Sequence, residues 1–76
     1  MAKLPRVAGA EMVRFLQRQG FSLLRVRGSH HFFFQRDELR TSVPVHGSRP
    51  LKIGTLRSIL RDINMSPSEF EDRFRV

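Results

Sequence analysis

The chain has 76 residues, enough for one domain with a thin core, and residues 1–76 read as a single unit. It contains no cysteine, which excludes a disulfide framework or a thiolate metal site and suits a reducing cytoplasm. Fourteen Lys and Arg against seven Asp and Glu give a formal net charge of +7, and twelve of the fourteen cations are arginine. Such an excess attracts polyanions, nucleic acid foremost, and arginine is the better bidentate phosphate ligand. No run approaches 18 apolar residues and the N-terminus lacks an apolar signal core, so neither membrane spanning nor secretion is expected.

Residues 9–19, GAEMVRFLQRQ, place Met12, Val13, Phe15 and Leu16 at helical spacing, and Gly20 stops the run. FSLLRVR then reads as a strand, Gly28-Ser29 as a short turn, HHFFFQR as a second strand, DEL as a connection and RTSVPVH as a third strand. After a loop over 47–54, TLRSILRDIN sets Leu56, Ile59, Leu60 and Ile63 on one helical face. Ser66-Pro67-Ser68-Glu69 has the form of a capping box with proline at the first helical position, predicting a short helix that carries Phe70 and Phe74. The order α-β-β-β-α, with a short C-terminal helix, implies an α+β two-layer sandwich.

Turns centred on Gly28-Ser29 and on Glu38 would set Val26 opposite His31 and Leu24 opposite Phe33. Phe33 would then face toward Val43, and His31 toward Val45. In that register Leu24, Val26, Phe33, Val43 and Val45 form the apolar face beneath the helices. The other face carries Leu23, Arg25, His30, Phe32, Phe34, Pro44 and His46, with His30 and His46 about 4.5–5.5 Å apart at Cβ. A partner protein or the terminal helix folding back is favoured as its cover over bases stacking on Phe32 or Phe34.

The stretch RVRGSHHFFFQR concentrates the chemistry. Three histidines without cysteine make a poor zinc set, and His30 and His31 point to opposite faces of a strand, so no metal or other cofactor is expected. Acid–base work on a phosphodiester fits better. Attack of an RNA 2′-hydroxyl on the neighbouring phosphorus needs a base, an acid and nearby cations, and histidine is the side chain whose unperturbed pKa suits either proton task. His30 follows the Gly28-Ser29 turn, where a phosphate can approach backbone N–H groups. Arg25, Arg27 and Lys52 are the candidate cations.

The segments QGFSLLRVRGSHHFF and VPVHGSRPLKIGTLRSILRDINMSPSEF resemble the HicA (YcfA-like) mRNA interferase toxins of type II toxin–antitoxin systems, over nearly the whole chain from Leu4 to Phe70. The resemblance rests on a combination: GF ending the first helix, GSHH at the second strand, VPVH in the third and GTLRSIL opening the second helix. It implies a fold similar to the double-stranded-RNA-binding domain and ribosome-independent cleavage of mRNA, with His30 as the catalytic residue. The implied partner is a HicB antitoxin that covers the active site. The second proton-transfer group stays open, with His46 nominated by the strand register. The expected RNA contacts are Arg25, Arg27, Gly28, Ser29, His46 and Lys52. A non-catalytic RNA-binding module is the alternative.

Overall fold

A computed structural model describes residues 4–28 and 30–74. The elements are α1 (Gly9–Arg18), β1 (Ser22–Arg27), β2 (His31–Arg36), β3 (Leu39–Pro44), α2 (Ile53–Asp62) and α3 (Pro67–Phe74). The strands form one antiparallel sheet in the order β1-β2-β3. This is the expected α+β sandwich, compatible with a double-stranded-RNA-binding-domain-like fold.

Side-chain hydrogen bonds mark the starts of α1 and α3. Glu11 reaches back so that its carboxylate accepts from the Ala8 N–H at 2.9 Å, half of a capping box. Ser66 Oγ accepts from the Glu69 N–H at 3.1 Å, with Pro67 as the first residue of α3. α2 begins at Ile53, two residues before the TLRSIL run, with Lys52 as its N-cap.

Met12, Phe15 and Leu16 of α1, Phe34 and Val43 of the sheet, Leu56, Ile59 and Leu60 of α2, and Phe70 of α3 form the buried core. α3 folds onto α1 rather than across the sheet. The Phe15 and Phe70 rings meet edge to face at 4.9 Å, Phe74 stacks on Phe70 at 5.0 Å, and Arg73 donates to Gln19 Oε1 at 3.1 Å. Arg36 extends its guanidinium over Phe21, at 4.6 Å from the ring centroid, and donates to the Gln19 carbonyl, closing the end of α1 against β2.

The strand register differs from the sequence expectation on both sides of β2. Between β1 and β2 the loop holds three residues, Gly28 to His30, so Arg27 pairs with His31, Val26 with Phe32 and Arg25 with Phe33. A bulge at Leu24 removes the extra residue, and the expected register resumes at Leu23↔Phe34 and Ser22↔Gln35. Between β2 and β3 the turn is only Asp37-Glu38, because Asp37 adopts a left-handed φ of 54°. Phe32 therefore pairs with Val43, and His31 with Pro44. The faces follow: Phe32, Phe34, Thr41 and Val43 point to the helices, while Arg25, Arg27, His31, Phe33, Ser42 and Pro44 share the outer face. Leu24 and Val26, expected in the core, are 54% and 42% exposed on the edge strand β1.

Candidate functional site

The site sits at the open end of β2 and β3, where both strands run out into loops. His30, the last residue of the β1–β2 loop, lies opposite Val45: the Val45 N–H donates to the His30 carbonyl at 2.7 Å. The His30 ring returns to the same residue, with Nδ1 at 3.2 Å from the Val45 carbonyl oxygen. A carbonyl oxygen only accepts, so this bond assigns the proton to Nδ1. In that tautomer Nε2 carries the lone pair, and the bond aims the ring.

One residue beyond Val45, the His46 ring lies with its centroid 5.1 Å from that of His30, at an interplanar angle of 40°. Both rings are on exposed residues. The juxtaposition expected from sequence is therefore present, although Val45, not His46, is the cross-strand partner. At the end of the ladder both residues belong to loops, so strict alternation no longer separates them.

The loop after His46 is held at both ends. Gly47 takes a φ of 58°, a left-handed conformation that glycine adopts at little cost, and the chain turns so that the Arg49 N–H donates to the His46 carbonyl at 3.1 Å. Pro50 bridges to Ala8, and the Leu51 N–H donates to the Val7 carbonyl at 2.7 Å. Gly9 lets α1 start against the end of β3: a Cβ there would lie 2.5 Å from the Pro44 carbonyl oxygen. The start of α1 thereby packs against the end of β3 at Pro44 and Val45, while residues 50–51 are tied to the segment that leads into α1.

His46 lines a cleft of about 290 Å³ together with Pro44, Arg49, Lys52 and Thr55. No Asp or Glu is among its lining residues. The cleft faces the first turn of α2, which has no acidic residue and no side-chain cap on its N-terminal N–H groups. Two cations and a helix N-terminus converge beside an imidazole pair, an arrangement that attracts an oxyanion.

Of the sequence-derived contacts, His46 and Lys52 meet in this cleft. Arg27 ends β1 beside the loop and pairs with His31, and Gly28 takes a φ of 59° at the loop's start. Ser29 lies outside the described residues. Arg25 is placed further along the sheet, its guanidinium 4.9 Å from the Phe33 ring centroid. Arg49 and Thr55 were not among the expected contacts. The signal for Arg49 was present in HGSRP, since a glycine-containing turn returns the fourth residue to the first. Among the described residues, no three His, Asp or Glu side chains converge as a metal-holding group.

No helix among the described residues is long and apolar enough to cross a membrane. A comparison with curated proteins finds no match to the chain. A family model described as the HicA toxin of bacterial toxin–antitoxin systems matches residues 9–65, most of the chain and all of the site. The histidine pair, the cleft behind it and the strand–helix order that positions them thus fall within one recognised toxin type, and the chain belongs to the HicA toxin family.

Proposed function

We propose that this toxin is a metal-independent endoribonuclease that cuts mRNA in the cytoplasm, with His30 and His46 as its proton-transfer pair. The observation that carries the reading is the 5.1 Å approach of the two rings beside the Arg49–Lys52 cleft. His30 Nε2 takes the proton of the 2′-hydroxyl as that oxygen attacks the adjacent phosphorus. His46 gives a proton to the departing 5′-oxygen. The products are a 2′,3′-cyclic phosphate and a free 5′-hydroxyl, and the two histidines have exchanged protonation states. Arg49, Lys52 and the first N–H groups of α2 offset the charge that builds on the phosphoryl oxygens. Gly28 and the start of the β1–β2 loop, with Arg27, hold the RNA strand on the other side of His30. An antitoxin of the HicB type counters the activity by covering this end of the sheet, where exposed histidines and cations leave a surface suited to an acidic partner.

The test is incubation of purified protein with unstructured RNA in EDTA, comparing wild type with His30→Ala. Wild type should cleave with the chelator present, and His30→Ala should not. Both should bind an RNA whose 2′-hydroxyls are replaced by fluorine. Cleavage that disappears on chelation refutes the metal-free mechanism. Binding without cleavage by either protein favours the non-catalytic RNA-binding module.

A further inference from the structure

Beyond the histidine cleft, two further depressions along β2, β3 and α2 share lining residues with it in succession. Pro44 and Thr55 line both the His46 cleft and a second cleft of about 380 Å³ that holds His31 and Ser58. Ser42 and Asp62 line that second cleft and a third, of about 510 Å³, where Arg25, Phe33 and Arg40 come together. Through these shared residues the three adjoin in a groove that runs from His46 to the half-buried Phe33 ring, which carries the Arg25 guanidinium over it, with Arg40 lining the same end. At about 3.3 Å per strand residue, Phe33 lies about 10 Å along β2 from His30.

The far end of the groove has the chemistry of a single-stranded nucleic acid track. The Arg25 guanidinium lies 4.9 Å over the Phe33 ring, so an incoming base stacks on this arginine–aromatic pair, and Arg40 in the same cleft is placed to bind a backbone phosphate. Asp62 stands on the helix side, its Oδ2 accepting from Thr41 Oγ1 at 3.0 Å, so the phosphates run on the strand side along Arg25 and Arg40. In a duplex the bases stack on one another and cannot reach the ring. An acidic peptide would satisfy the arginines but would make no use of the aromatic face.

We propose that Arg25, Phe33 and Arg40 form a base-stacking subsite that holds a nucleotide flanking the cut and so commits the toxin to single-stranded RNA. This inference rests on the nuclease reading of the histidine pair, and the experiment separates the two. The chain has no tryptophan, so Phe33→Trp introduces a single fluorophore at the platform. The probes are a fluorine-substituted uridine heptamer, which lacks the attacking hydroxyl, and an abasic heptamer with the same phosphates. The Trp emission should be quenched by the base-bearing probe and not by the abasic one. Wild type should favour the base-bearing probe by about tenfold, the scale of one stacked base. Phe33→Leu should lose that preference while binding the abasic probe as wild type does, and Arg25→Gln should weaken both. Equal quenching by the two probes, no quenching by either, or a wild-type preference retained in Phe33→Leu overturns the subsite. Tighter binding of an oligoglutamate peptide than of the heptamer does so too. If wild type cleaves unmodified RNA and the preference is absent, the subsite alone fails. If quenching and preference appear but no RNA is cleaved, the nuclease reading alone fails.

Discussion

Replacing Gly9 by alanine places a methyl group 2.5 Å from the Pro44 carbonyl oxygen, 3.0 Å from Val45 Cα and 3.1 Å from Val45 Cγ2. Two of these neighbours are backbone, so the side chain cannot be accommodated by a rotamer change. Either α1 or the end of β3 must move. Overpacking of this kind costs typically 1–3 kcal/mol, against a helix-propensity gain of at most about 1 kcal/mol. A net loss of about 1 kcal/mol lowers Tm by about 4–8 °C for a domain of this size. Gly54 is the matched control: it also lies in a helix, but a Cβ there meets nothing within 4 Å. Gly54→Ala should raise Tm by a few degrees, since only the propensity gain remains. Thermal melts by circular dichroism read both variants. Gly9→Ala should also lose cleavage beyond its stability loss, because the displaced Val45 carbonyl is the acceptor that orients His30. A Tm for Gly9→Ala at or above wild type, with cleavage intact, would refute the close packing of α1 on the end of β3.

Thr41→Val removes the donor to Asp62 from a buried position and should cost about 1 kcal/mol, read as a lower denaturant midpoint with an unchanged m-value. Ser66→Ala deletes the cap on α3 and should cost about 1 kcal/mol by the same measurement, with little effect on RNA cleavage. Binding of single-stranded RNA should weaken linearly in a plot of log affinity against log salt. Removing the two cleft cations in Arg49→Gln/Lys52→Gln should reduce that slope by about 1.4, at about 0.7 per lost phosphate contact. An unchanged slope would place the phosphate elsewhere.

The element order was legible because each element carries its own local signal: a 3.6-residue apolar period in α1 and α2, a capping serine and proline in α3, and β-branched and aromatic runs in the strands. What escaped the sequence was turn length. Whether Asp37-Glu38 or a three-residue connection closes β2 onto β3 depends on one residue accepting a left-handed φ, and Asp37 does so at 54°. That choice decides whether Phe33 or its neighbours Phe32 and Phe34 enter the core, since each step along a strand inverts the face. A triple phenylalanine gives no help, being apolar in either register. The histidine pair survived the shift because it sits beyond the last ladder pairs, where loops rather than alternation place the rings. Lys52 and Arg49 depend on the hydrogen bonds of the 46–52 loop, which no periodicity encodes.

The open side of β1 has a consequence for how this protein behaves at high concentration. Leu23, Leu24 and Val26 stand 42%, 54% and 42% exposed on a strand that, among the described residues, has no neighbour on its far side in the sheet. Such an edge invites a second chain to extend the sheet, and here the bulge at Leu24 and the guanidinium groups of Arg25 and Arg27 guard it. The guard is ionic: in 1 M salt the screening length falls to about 3 Å, and mutual repulsion between copies disappears while the apolar strand remains. Fibril growth seeded from this strand should therefore be a high-salt hazard of purification and storage.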